Sequence, residues 1–149
     1  MTKLLTEKFV QDSIIEYLFR KGWSRNLRSK IEKEHGVDIK VRHNKYARYW
    51  LIEVKGISIS AKSPYSSLES SFYHALGQII SRMWTKRKRG YKYGYKYGVG
   101  YPYTFRNKVI KNLPHDVCDK LNLYVFLVDE KHKVELLNWK KLKQLQASY

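Results

Sequence analysis

The sequence predicts an α/β domain, and three stretches of its 149 residues carry that prediction. Residues 36–56, GVDIKVRHNKYARYWLIEVKG, alternate apolar and polar side chains along two arms, as a β-hairpin does. Residues 6–21 and 68–86 place apolar side chains at helical spacing on either side of that hairpin. Residues 123–128, LYVFLV, form a continuous apolar run of the kind expected for a strand buried on both faces.

Taken in order, the first helix has Thr6 as its N-cap and Gly22 as its stop. On a helical wheel Val10, Ile14, Tyr17 and Leu18 define the buried face, and Glu7 and Gln11 fall within the same arc. Glu16 falls nearly opposite. Glu7 is therefore the acid aimed at whatever the helix covers, the alternative being a first-turn carboxylate that only complements the helix dipole. Residues 23–31 are Arg-rich, with Trp23 and Leu27 to bury, and predict an edge strand feeding the hairpin. Residues 58–71, serine-rich and containing Pro64, predict a loop. The second helix carries the stripe Leu68, Phe72, Leu76, Ile79 and Met83, while His74, Gln78 and Arg82 step by four along one polar edge of it. Residues 105–113 and 114–121 predict two short helices, with Pro114 in the first turn of the second. Residues 134–139 predict a further strand, followed by a short basic helix through Leu145. With no linker in the chain, residues 1–149 read as one domain.

Lys and Arg number 30 against 13 Asp and Glu, a formal charge of +17, and this points to a polyanionic partner. A membrane role fits poorly, since no run of about 18 apolar residues occurs and no signal peptide opens the chain. The single cysteine, Cys118, excludes an internal disulfide and a cysteine-based zinc cage, and suits a reducing cytoplasm. Residues 85–108 show neither a helical nor a strand period and read as a basic, tyrosine-rich segment. Lys86, Arg87, Lys88 and Arg89 stand in a row, and Tyr91, Lys92, Tyr93, Tyr95, Lys96 and Tyr97 follow in a short YKYG repeat. The cations can neutralise phosphates and the rings can stack on bases, so these residues are candidates for DNA contact. The alternative is a low-complexity hairpin whose alternate tyrosines cover the sheet.

The chemistry concentrates on the hairpin. Asp38 enters its first strand, and Glu53 and Lys55 share a face of the second. A turn within residues 43–47 brings Asp38 beside or diagonal to Glu53, within reach of one shared ion. An acid two residues before a lysine also occurs at Asp38 and Lys40 and at Asp129 and Lys131, so the spacing alone selects nothing. Asp129 follows the buried run and reads as a turn residue. For Asp38, Glu53 and Lys55 the bland alternative is an ion-pair network on an exposed sheet face. Hard carboxylate oxygens at Asp38 and Glu53 suit Mg²⁺, with Mn²⁺ as a substitute, and Glu7 would add a ligand directly or through water. Such an ion favours phosphodiester hydrolysis, with Lys55 orienting or deprotonating water or stabilising developing charge. Gln78 could position the nucleophile or a phosphate, and His74 and Arg82 are candidates for contact with the DNA backbone.

These residues resemble the restriction-endonuclease-like, or PD-(D/E)XK, nuclease superfamily, over residues 7–84 and the strand at 123–128. Asp38 matches its first acid, with Val37 where the family has proline. Glu53 and Lys55 match its second acid and lysine, and Glu7 matches the acid of its leading helix. Gln78, in HALGQIISR, resembles a glutamine of the following helix found in several branches. The resemblance implies a mixed β-sheet flanked by helices with an α-β-β-β-α-β core, and Mg²⁺-dependent cleavage of duplex DNA by a homo-oligomer, dimer or tetramer. Within that group the expectation is a site-specific homing or restriction type. The alternatives are a nuclease specific for branched, Holliday junction-like structures and a non-catalytic nucleic-acid-binding module.

Overall fold

The structure, a computed structural model, describes residues 5–23, 38–45, 48–57, 64–83 and 95–149. Helix α1 spans Glu7–Arg20 and opens on Thr6, whose hydroxyl accepts a hydrogen bond from the Phe9 N–H at 3.2 Å. It closes on Gly22 at φ +93°, where the Trp23 N–H reaches the Leu18 carbonyl and the Gly22 N–H reaches that of Phe19. This is a Schellman ending, and only glycine takes that backbone geometry without strain. Strands β1, Ile39–Arg42, and β2, Tyr49–Val54, form the hairpin, and helix α2 covers Pro64–Met83. Strand β3, Tyr95–Pro102, leads through a single 3₁₀ turn into helices α3, Arg106–Asn112, and α4, His115–Leu121. Strands β4, Leu123–Val128, and β5, Val134–Leu137, precede helix α5, Trp139–Ala147.

The five strands form one mixed sheet in the order β1-β2-β3-β4-β5. The outer pairs are antiparallel, while β2, β3 and β4 run parallel. Helices cover both faces. Val10, Ile14 and Leu18 of α1 pack on Ile39, Val41, Trp50, Ile52 and Val54 on one side, with Phe126 and Val128 beneath. Phe72, Ala75, Ile79 and Met83 of α2 pack on Leu51, Tyr97, Val99 and Tyr101 on the other, joined by residues from α3 to α5. Double coverage is why β2 and β4 carry nearly unbroken apolar runs rather than a clean alternation.

The hairpin, the first helix, the buried strand at 123–128 and the two short helices stand as the sequence predicts. Three expectations are corrected. The loop expected over 58–71 ends earlier, because α2 already begins at Pro64, which fits a first helical turn where its missing N–H costs nothing. The aperiodic segment expected over 85–108 is in part the central strand β3, so the strand that follows α2 in the resemblance is β3, with residues 123–128 coming next beside it. The strand expected over 134–139 stops at Leu137, because the Asn138 side chain caps α5 through the Lys141 N–H at 2.8 Å. The edge strand expected over 23–31 lies outside the described residues except for Trp23, which forms an isolated antiparallel bridge with His43.

Along β3, Tyr97, Val99 and Tyr101 face α2 while Gly98 and Gly100 lie under the α1 side. A Cβ on Gly100 would collide with Ile14, and one on Gly98 would stand 2.7 Å from the Phe126 ring and 3.2 Å from Ile52. Both neighbours of Gly98 are fully buried and have nowhere to go. Gly98→Ala is expected to destabilise the protein by about 1 to 3 kcal/mol through overpacking, measured as a lower denaturation midpoint with an unchanged denaturant slope. An unaltered midpoint would mean that Phe126 and Ile52 do not close over the strand at this point.

Candidate active site

The hairpin register sets the site. Ile39 pairs with Ile52 and Arg42 with Tyr49, and the His43 N–H donates to the Arg48 carbonyl at 2.8 Å, so the turn falls between His43 and Arg48 as expected. Continuing that ladder by one residue puts Asp38 across from Glu53. Asp38 Oδ2 accepts the Val54 N–H at 2.7 Å, which fixes its carboxylate at the end of β2. Gln11 of α1 donates from Nε2 to the Asp38 carbonyl at 3.2 Å and ties the same residue to the helix above.

Glu53 is buried, with 2% of its surface exposed, on the sheet face covered by α2. Its Oε1 lies 3.5 Å from Arg82 Nε, and Asp38 hydrogen-bonds it from the other side. Burial, then the charge and hydrogen bond of Asp38, push the Glu53 carboxyl up to about 8, and Arg82 pulls it only part of the way back. This answers the bland alternative, because an exposed ion-pair network would leave Glu53 in water and beside Lys55. Lys55 instead stands half-buried just past β2, its N–H bonded to the Gly100 carbonyl at 2.9 Å. Among the described residues its ammonium has no carboxylate within ion-pair distance.

Glu7 is brought to this end of the sheet by backbone packing. A Cβ on Gly56 would collide with the backbone of Thr6 and Glu7, and the Ile57 N–H donates to the Leu5 carbonyl at 2.8 Å. The start of α1 therefore rests directly on the residues after Lys55. The Glu7 carboxyl is raised by burial first and by Asp38 second, with Lys55 opposing both. Gly56 and Gln11 are positioning residues that the hairpin pattern does not reveal, although the helical wheel places Gln11 in the inward arc.

On α2, Gln78 sits one turn before Arg82 and is half-buried. Its Oε1 is buried with no hydrogen-bond partner among the described residues, a cost that a ligand or water would remove. His74 is exposed a further turn away. Tyr95, Lys96 and Tyr97 belong to β3 and not to a flexible arm. Tyr97 is buried, Tyr95 stacks on Tyr49 at 5.0 Å, and Lys96 lies over the rings of Trp50 and Tyr124. Here the alternate tyrosines do cover the sheet, and Tyr101 donates its hydroxyl to the Phe72 carbonyl of α2 at 2.7 Å. Lys86, Arg87, Lys88, Arg89, Tyr91, Lys92 and Tyr93 lie outside the described residues. Asp129 is a turn residue as expected, its Oδ1 accepting the N–H groups of Lys131 and Lys133 at 2.8 and 2.9 Å.

Among the described residues no three His, Cys, Asp or Glu side chains form a group that could hold a metal ion. Asp38 and Glu53 remain a two-carboxylate pair, with Glu7 in their field but outside such a group. That donor set suits Mg²⁺, which keeps several waters and takes one or two carboxylates. The raised Glu53 carboxyl and the orphaned Gln78 Oε1 are two groups that a hydrated cation would satisfy.

The Glu53 carboxyl also gives the pH dependence of the metal-free protein. Its proton is held more tightly folded than unfolded, so its contribution to stability is whole below pH 4.5 and is lost as the pH rises toward about 8. Nothing titrates at this position in Glu53→Gln. The Tm of that variant, measured in EDTA, is expected to gain on wild type steadily across this window. A difference that stays constant with pH would show that Glu53 is ionised throughout.

No family model matches the sequence, and no curated protein is similar to it in sequence. A solved structure is similar to this chain: the crystal structure, at 1.60 Å, of an XisH family protein from Nostoc punctiforme PCC 73102. The two share 16% sequence identity at a TM-score of 0.52, over 87% of this chain and 98% of that one. At that identity the likeness concerns the fold alone. The protein is thus a mixed α/β domain with a five-stranded sheet flanked by helices, consistent with the nuclease-like fold that its hairpin resembles.

Proposed function

We propose that this chain is a divalent-metal-dependent endonuclease that hydrolyses phosphodiester bonds in duplex DNA. The observation that carries this reading is the buried carboxyl of Glu53 facing Asp38 across a hairpin, two residues before Lys55, in a chain of formal charge +17. A buried acid next to a second acid is costly to a fold, and a role in binding cations explains why it stands there. Asp38 and Glu53 would hold Mg²⁺, or Mn²⁺ in its place, with Glu7 acting through water. The ion, when bound, supplies a polarised phosphate oxygen and a water of lowered pKa.

The chain's own groups supply the rest. Lys55, in the field of Glu7 and without an ion-pair partner among the described residues, orients the attacking water or stabilises charge on the phosphate. Gln78 offers Oε1 to that water. Arg82 contacts Glu53 and lies where it can also meet a phosphate oxygen. Duplex DNA is the favoured substrate because the positive charge is large and spread along the chain. Two strands need two active sites, so the acting form would be a homo-oligomer, which light scattering with and without DNA would reveal. A cytoplasmic setting agrees with the reading, and no helix among the described residues is long and apolar enough to cross a membrane.

Arg82 lying on Glu53 favours a second reading, a non-catalytic nucleic-acid-binding module in which that pair is only structural. Purified protein incubated with plasmid and Mg²⁺ separates the two. Cleavage is expected that stops in EDTA and falls by about a hundredfold or more in Asp38→Ala and in Lys55→Ala. Salt-sensitive binding without cleavage of plasmid, linear duplex, single strand or four-way junction would establish the second reading. Cutting confined to the four-way junction would make the enzyme structure-specific.

A further inference from the structure

At the other end of the sheet from the carboxylates lies a cavity of about 400 Å³ lined by Trp23, His43, Arg48 and Lys96. Its size falls in the range of small-molecule sites. Among the described residues that line it, three of four side chains are basic or imidazole and none is an acid. Lys96 emerges from β3 on the face that carries Trp50, the residue it pairs with in the ladder, and so on the face opposite Glu53. Its ammonium is 5.4 Å from the Trp50 ring centre and 5.3 Å from that of Tyr124. Trp23 and His43 meet edge to face at 4.9 Å and wall the cavity on another side. Arg48 precedes β2 and Glu53 lies five residues further on, so the two ends are separated by roughly 17 Å of extended chain.

Neither Arg48 nor Lys96 has a carboxylate within ion-pair distance among the described residues. Two cations thus share an aromatic-walled cavity. Lys96 is pushed down from the usual lysine range by burial and then by Arg48, a strain that a bound anion would relieve. Arg and Lys together match the fork and point-charge contacts that phosphate oxygens accept, and the Trp23 and His43 rings of the lining suit a flat apolar group attached to that phosphate.

We propose that this cavity is a second site that binds the phosphate of a nucleotide unit, with Arg48 and Lys96 as its cationic ligands. The unit comes either from a free mononucleotide or from a nucleic-acid strand whose scissile bond lies elsewhere. The strand source rests on the endonuclease reading, whereas the cavity does not need the metal.

The full chain in EDTA, where no cleavage occurs, is titrated with a 5′-mononucleotide and with a short single-stranded DNA oligonucleotide, following tryptophan fluorescence and calorimetric heat. Binding is expected to weaken by about tenfold in Arg48→Gln and in Lys96→Met, each of which removes one charge-assisted contact. Met keeps the stem of Lys96 on its two rings, and Arg48 is exposed, so the Arg48 variant carries the test should Lys96→Met unfold. Lys143→Gln removes the same charge from exposed α5 and is expected to change little. Mononucleotide binding that both cavity variants weaken supports a free-nucleotide site. Oligonucleotide binding alone, weakened in the same way, supports the strand. The proposal fails if neither probe saturates, or if Lys143→Gln weakens binding as much as Arg48→Gln. A chain that binds here but never cuts with Mg²⁺ would overturn the endonuclease reading and leave this site standing.

Discussion

A carboxyl buried to 2% exposure is the constraint that shapes one end of this protein. Glu53 lies inside a strand with neighbours on both sides, so its side chain cannot swing out to water. A lone carboxylate there would cost far more than a small domain can spare. Each surrounding element contributes to the compensation: Arg82 from α2 as a counter-ion, Asp38 from the start of β1 as a hydrogen-bond partner, and a retained proton. Remove the docking of α2 and the counter-ion leaves with it. The counter-ion of Glu53 thus depends on the position of a helix.

Close approach of α1 is the second condition, and glycines permit it. Gly100 lies under Ile14, Gly98 lies against Phe126, and Gly56 lies under the Thr6–Glu7 backbone. Larger residues at Gly100 and Gly56 would lift the helix away from the sheet, and one at Gly98 would push on the Phe126 ring packed beneath it. Glu7 would then leave the end of β2, and Gln11 would lose the Asp38 carbonyl. Packing over the sheet centre and the placement of two polar side chains at its end are consequences of one fit. The site itself sits where β2 ends beside β3, with the Lys55 N–H bonded to Gly100. Such carboxyl ends of parallel strands are where open α/β sheets leave a crevice.

What the sequence made legible follows from distance along the chain. Asp38, Glu53 and Lys55 belong to one hairpin, and the alternation of side chains with a short turn suffices to place them together. The helical wheel puts Glu7 in the inward arc, and the residue lies at the exposed start of α1, in the field of Asp38 and Lys55; the wheel alone does not say what lies there. The bond between Arg82 and Glu53 spans 29 residues and two elements and has no local signature. Strand β3 was hidden for another reason. Its tyrosines at alternate positions carry the strand period, but Lys96, Gly98 and Gly100 occupy the other face, where apolar residues are expected of a central strand. Two of those positions are glycine because Phe126 and Ile52 fill the space at Gly98 and Ile14 of α1 fills it at Gly100, and such packing cannot be seen in the strand's own composition. The same composition suggests a flexible basic arm until the register is known.

The charge balance of the site links its resting state to what it would bind. Three species can neutralise Glu53: a proton, the Arg82 guanidinium and a cation held jointly with Asp38. Near neutral pH the proton has the advantage in the metal-free protein, because burial and Asp38 together outweigh Arg82. A cation arriving at both carboxylates must displace that proton, as metal binding to acidic ligands generally does. It also weakens the claim of Arg82 on Oε1, since the oxygen's charge is then shared. The Arg82 guanidinium remains on α2, one turn from Gln78, at the edge of a site that would then have gained positive charge. A phosphate would be attracted to that arrangement more strongly than to the metal-free one. Cation and phosphate would therefore bind cooperatively, with the buried carboxyl of Glu53 as the group through which each senses the other.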